Sequence, residues 1–120
     1  MKYNNYLVRI AKTAELGFTL ARGHVLEYEG QTIQGLAVVR LALAPLEFLG
    51  PYAIIDINSG LFVIQAKSKK KLLEKWKDKI DYCNIEDRIL EARKTDKYID
   101  RVLELNNEKK NWRNSGYAVD

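Results

Sequence analysis

YAIIDINSGLFVIQAKSKKKLLEKW, residues 52–76, contains the change of hydrophobic period that decides the architecture. Tyr52 to Ile57 and Leu61 to Ala66 read as two strands around Asn58-Ser59-Gly60, whose glycine suits the left-handed position of a three-residue hairpin loop. The period then becomes helical. Leu72, Leu73, Trp76 and Ile80 form one apolar face behind Ser68, a good N-cap, while lysines occupy most of the remaining surface. Both faces of the hairpin are apolar, with Ala53, Ile55, Ile57, Leu61 and Val63 on one and Tyr52, Ile54, Phe62 and Ile64 on the other. Such strands need cover on both sides, from helices or from a second protein chain.

Upstream, Val25 to Glu29 and Thr32 to Leu43 read as an earlier hairpin. Gly30 stands first in a two-residue type II′ turn, and Gly35 marks a bulge or a close backbone approach. Residues Ala44 to Pro51 form a loop carrying Pro45, Gly50 and Pro51. Nearer the N-terminus, Tyr3, Leu7, Ile10, Ala11 and Ala14 predict a helix from Asn5 to Leu16, closed by Gly17. The alternation of Tyr6, Val8 and Ile10 is the competing strand reading. Downstream, Ile85, Ile89, Ala92, Ile99, Val102 and Leu103 continue a helical stripe that Asn84 restarts and that breaks near Thr95 and Asp96. The expected fold is α+β: an N-terminal helix, a four-stranded antiparallel sheet from two hairpins, then two to three C-terminal helices. Residues 1–108 would form a single domain, and 109–120 a polar, flexible tail in which Trp112, Tyr117 and Val119 are the large or branched apolar side chains.

The whole chain, 120 residues with 47% hydrophobic and 30% charged side chains, is long enough to bury its own core. Cys83 is the only cysteine and His24 the only histidine. A disulfide and a multi-cysteine zinc site are therefore excluded, and any histidine triad would depend on one residue. No segment reads as a signal peptide and no apolar run approaches a bilayer's thickness, so a cytoplasmic location without membrane contact is expected. Glycine-rich phosphate loops, GxSxG and HExxH are absent, and no cofactor is implied.

The net charge of +4 is unevenly placed. Residues 1–66 are neutral, whereas Lys67 to Lys79 holds seven lysines against Glu74 and Asp78. Lys67, Lys69, Lys70, Lys71 and Lys75 gather where a helix begins and oppose its dipole, so intrinsic helix stability did not select them. They are candidate contacts for a polyanion. Lys109, Lys110, Trp112 and Arg113 are a second candidate group, in which an aromatic ring could stack on a base or dock on the protein itself. Two helical rows, Arg93, Lys97, Arg101 and Asp96, Asp100, Glu104, read as a solvent face laced with mutual salt bridges.

Asp56, Gln65 and Lys67 match the spacing of carboxylate, amide and lysine in many metal-dependent nucleases. Hairpin parity, however, puts Asp56 and Gln65 on opposite faces and about 10 Å apart, too far to share one Mg²⁺. Asp56 reads instead as a residue flanking a turn. His24 is expected to be a surface or half-buried histidine, and Cys83 a small apolar filler.

The stretch from Tyr52 to Trp76, with its D-x-N-S-G-L turn and S-K-K-K helix start, resembles a module of small phage and mobile-element proteins, anti-CRISPR-like inhibitors among them. That resemblance implies a role in blocking a nucleoprotein. With the charge pattern, it leads to the expectation of a non-catalytic binding protein that engages a nucleic acid or nucleoprotein through its lysine-rich helix. The alternatives are a protein–protein interaction or homodimerisation module without nucleic-acid binding, built on the apolar sheet face or the 85–105 helix, and a small metal-dependent nuclease.

Overall fold

The computed structural model describes residues 3–12, 15–41 and 50–120. Five antiparallel strands come first: β1 (Asn4–Lys12), β2 (Glu15–Val25), β3 (Leu36–Leu41), β4 (Tyr52–Asp56) and β5 (Phe62–Ala66). Three helices follow: α1 (Lys69–Cys83), α2 (Ile85–Ala92) and α3 (Asp96–Asn114). The strands pair in sequence order. The fold is thus α+β, but the expected N-terminal helix is a strand and the sheet has five strands rather than four.

The reason lies in burial. Along β1, Tyr6 and Val8 face one core while Leu7 and Arg9 are buried on the opposite face. With both faces apolar, alternation is hidden, and residues that belong to different faces fall by chance at helical spacing. Gly17, expected to close a helix, lies within β2 opposite Ile10.

The first expected hairpin is also corrected. β2 ends at Val25, and Ala21 to Val25 pair with Leu41 to Ala37, so a wide loop rather than a two-residue turn joins β2 to β3. Gly30 has φ +87° at the third position of the turn in which the Gln31 N–H donates to the Tyr28 carbonyl, as a type II turn requires. The span 42–49, which includes most of the expected Ala44–Pro51 loop, lies outside the described residues.

The sheet curls strongly. Four inter-strand gaps of about 4.8 Å would hold the edges of a flat sheet about 19 Å apart. Yet the Arg9 N–H donates to the Gly60 carbonyl at 2.9 Å, which brings β1 against the turn that leads into β5. Gly60 permits this approach, because a Cβ there would lie 2.9 Å from the Leu7 carbonyl oxygen and its φ is +73°. The concave side holds Tyr6, Val8, Ala21, Ala37, Val39, Leu41, Ala53 and Ile55, with Ile57 and Phe62 against them. Three alanines suit the narrow interior of a tightly curved sheet. The apolar face for which the sequence suggested cover by a helix or by a second protein chain is therefore covered by the sheet itself.

On the convex side α1 packs Leu72 and Trp76, both fully buried, onto Leu36, Val38, Ile54 and Ile64. Fully burying such side chains contributes roughly 2–3 kcal/mol each. A register shift between Ile54 and Ile55 sets Ile55 opposite Phe62, so Phe62 turns inward while Val63 packs outward, the reverse of simple parity. A third cluster joins Leu7 to Leu105 and Val119, with Phe18, Leu20 and Trp112 packed around it. The segment set apart from sequence as a tail extends α3 to Asn114 and then returns, with the Asp120 N–H donating to the Asn5 carbonyl.

Candidate functional site

Two charged constellations occupy the convex side. The first surrounds the β4–β5 turn. Asp56 is 4% exposed and accepts on one oxygen from Arg93 Nε (3.1 Å) and Nη2 (2.9 Å). Its other oxygen accepts from the Ser59 hydroxyl (2.7 Å), the Ser59 N–H (3.1 Å) and the Tyr98 hydroxyl (2.8 Å). Burial and the neighbouring Asp56 carboxylate push the Tyr98 phenol up to about 12. Arg9, 3% exposed, donates to the Ser59 and Arg101 carbonyls and to Glu104 Oε2 at 2.9 Å. Its bond holds the Glu104 carboxyl below the usual range. Arg93 also reaches the Gln34 carbonyl, at 2.8 Å. This network fastens α2 and α3 to the sheet.

Among the described residues the expected mutual pairing of the two rows is found only between Arg101 and Glu104, at 2.8 Å; Arg93, at the end of α2, turns to the sheet instead, and Glu104 also pairs with Arg9 of β1. Asp56 stands opposite Leu36 on the convex face and Gln65 opposite Ala53, so they do not converge. Asp56, Gln65 and Lys67 therefore do not form one ligand set, and Asp56 serves as the acceptor at the centre of the turn.

The second constellation begins with a row across the sheet. Asn5 on β1 pairs with Arg22 on β2, Arg22 with Arg40 on β3, Arg40 with Tyr52 on β4, and Tyr52 with Ala66 on β5. The row ends just before α1. Tyr3, Arg22, Gly23, His24, Val38, Val39, Arg40, Tyr52 and Lys69 line a cleft of about 400 Å³ here. Arg22 lies over the Tyr3 ring at 5.5 Å and Arg40 over the Tyr52 ring at 5.8 Å, while His24 meets the edge of Tyr3 at 5.8 Å. Such contacts hold each guanidinium on a flat support, and among the described residues neither donates a side-chain hydrogen bond or joins an ion pair. No carboxylate stands among the described lining residues.

Arg22 and Arg40 face each other directly, an arrangement that destabilises a sheet. Lys69, half-buried at the first turn of α1, adds a third cation to the cleft. Ser68 caps α1 by accepting from the Lys71 N–H at 3.1 Å, and no acidic residue occupies the first turn. Lys67, Lys70, Lys71 and Lys75 are exposed beside it. Lys75 donates to the Gln65 carbonyl at 3.0 Å. Among the described residues no lysine between 67 and 79 joins an ion pair.

The structure does not unite the two lysine-bearing groups proposed from sequence. Trp112 packs on the third cluster and meets Tyr117 edge-on at 4.9 Å, and Arg113 donates twice to the Val119 carbonyl, at 3.1 and 2.8 Å. Lys109 is half-buried, and desolvation together with Arg113 lowers its pKa, whereas Lys110 is exposed. Sequence reasoning missed Tyr3, Arg22, Arg40 and Tyr52. A strand reading of residues 4–25 would have aligned them, since each lies on the convex face once the register is set. No helix among the described residues is long and apolar enough to cross a membrane. Compared with protein-family models, curated proteins and solved structures, the chain matches none.

Proposed function

We propose that the protein binds nucleic acid through the cleft formed by Arg22, Arg40 and Lys69, with Lys67, Lys70 and Lys71 extending the cationic surface along the start of α1. One observation carries this reading: Arg22 and Arg40 stand directly opposite each other, each supported on a tyrosine ring, with no carboxylate among the described residues around them. Phosphate would relieve that repulsion and accept from both guanidiniums. The role is binding rather than catalysis, since Asp56, the residue that suggested a metal-dependent nuclease, has both oxygens engaged by Arg93, Ser59 and Tyr98.

Self-association is the second reading. It rests now on α3, where Ile99 and Leu103 are exposed one turn apart, rather than on the sheet. Sedimentation as a strict monomer would remove it.

Nucleic-acid binding is tested by fluorescence anisotropy with a labelled oligonucleotide across a salt series. Affinity should fall steeply and linearly on a logarithmic scale, by several powers of ten if six or more phosphates are contacted. Replacing Lys69, Lys70 and Lys71 with Glu should abolish it. Binding that survives both about 0.5 M salt and that substitution overturns the proposal.

A further inference from the structure

Resting on the nucleic-acid reading, we infer that the bound nucleic acid is single-stranded and that it presents unpaired bases to Tyr3 and Tyr52. Phosphate recognition alone needs only the cations. The cleft also places two aromatic rings at its walls, and each ring has one face under a guanidinium. Tyr3 is 51% exposed, which leaves its second face open to a planar partner, whereas Tyr52 packs partly on the core beneath α1 and lines the cleft with the surface that remains.

The disposition of the row favours one strand. Arg40 lies between Arg22 and Tyr52 on adjacent strands, so cation and ring follow one another at steps of about 5 Å. A backbone crossing β2, β3 and β4 toward Lys69 would meet Arg22 and Arg40 in turn and carry its bases past Tyr3 and Tyr52. A duplex offers base edges in its grooves and keeps base faces stacked, so it has nothing to lay against a tyrosine ring. Its backbone would touch only the outer lysines, Lys67, Lys70 and Lys71. The cleft volume of about 400 Å³ is of the size that encloses small planar ligands and is too small for a double helix.

The experiment compares three fluorescein-labelled probes carrying the same labelled strand length: oligo(dT), its duplex with oligo(dA), and an abasic strand. Anisotropy titrations at low salt should show wild type binding oligo(dT) roughly tenfold or more tightly than the abasic strand or the duplex, as expected when bases stack on aromatic side chains. The Tyr3→Leu/Tyr52→Leu variant should lose that preference and bind the three probes alike, with an unchanged salt slope because the cations remain. Circular dichroism checks that the variant is folded, and the abasic comparison on wild type stands without it. If wild type binds the abasic strand or the duplex as tightly as oligo(dT), the single-strand inference is overturned while phosphate binding stands. If wild type binds none of the probes, both readings fall.

Discussion

At the β4–β5 turn, Arg9 and Arg93 have their guanidiniums surrounded by acceptors: Asp56, Glu104 and the carbonyls of Ser59, Arg101 and Gln34. Four residues back along β4 from Asp56, about 13 Å away, stands Tyr52, and beside it Arg40 of β3 and Arg22 of β2 have tyrosine rings next to them and no ion-pair partner among the described residues. The side-chain chemistry is the same at both places, and the surroundings differ. A guanidinium turned into carboxylate and carbonyl acceptors, fully buried at Arg9 and half-buried at Arg93, holds helices to a sheet. An exposed one supported by an aromatic ring, with its donors facing a cleft, is available to an outside anion.

The contrast predicts very different costs for removing charge. Replacing Asp56 by Ala leaves Arg93 without its carboxylate and Ser59 and Tyr98 without their acceptor. It should destabilise the protein by about 3 kcal/mol, toward the low end for a broken buried pair because Arg93 retains 21% side-chain exposure. Urea unfolding would read this directly. Arg22→Ala should stay within about 0.5 kcal/mol of wild type. Equal losses at the two sites would erase the distinction between them.

A smaller effect comes from Tyr98. Replacing it by Phe deletes one hydrogen bond to Asp56 and should cost about 1 kcal/mol at neutral pH. The sign of its pH dependence follows from the raised phenol pKa. Below pH 10 the phenol is protonated in both folded and unfolded chains, so its contribution is complete. Between 10 and about 12 the unfolded chain loses the proton first, and stability declines with rising pH. Thermal melts of wild type and Tyr98→Phe should therefore converge across that window. A gap that stays constant through it would show that the phenol does not donate to Asp56.

The C-terminal half was far more legible in the sequence than the N-terminal half, for a physical reason. Residues 69–114 expose one side of each helix, so polar and apolar positions separate at helical spacing and caps such as Ser68 and Thr95 stand out; their hydroxyls accept from the Lys71 and Tyr98 N–H groups. Along Tyr6 to Arg9 of β1 the concave interior and the cover of α3 bury both faces, and the expected alternation is lost. The error carried forward into the site. With residues 5–16 read as a helix, Tyr3 and Arg22 had no shared face, and the lysines of α1 seemed a patch by themselves. Register alone brings Arg22 opposite Arg40, and register is set by long-range pairing that no local window contains. The curl is similarly hidden, since Gly60 reads as a turn residue while its close approach to Leu7 spans more than fifty positions.

The smallest expected change in stability is also the one that separates structure from function most cleanly. Arg22 and Arg40, directly opposite across β2 and β3, repel each other in the free protein. Arg40→Glu converts that repulsion into attraction and should stabilise the fold by a few tenths of a kcal/mol, up to about 1 kcal/mol, less the support Arg40 draws from the Tyr52 ring. The same change puts a carboxylate into a cleft proposed to hold phosphate, and oligonucleotide affinity should fall by at least an order of magnitude. Stability and binding would then move in opposite directions, as they do where a strained arrangement is kept for a ligand. High salt should narrow the stability difference by screening the exposed pair. If Arg40→Glu leaves oligonucleotide binding intact, the paired arginines are not the ligand's contacts. A clear loss of stability would mean instead that the Tyr52 contact outweighs the repulsion, so that strain between the two arginines no longer argues for an anion between them.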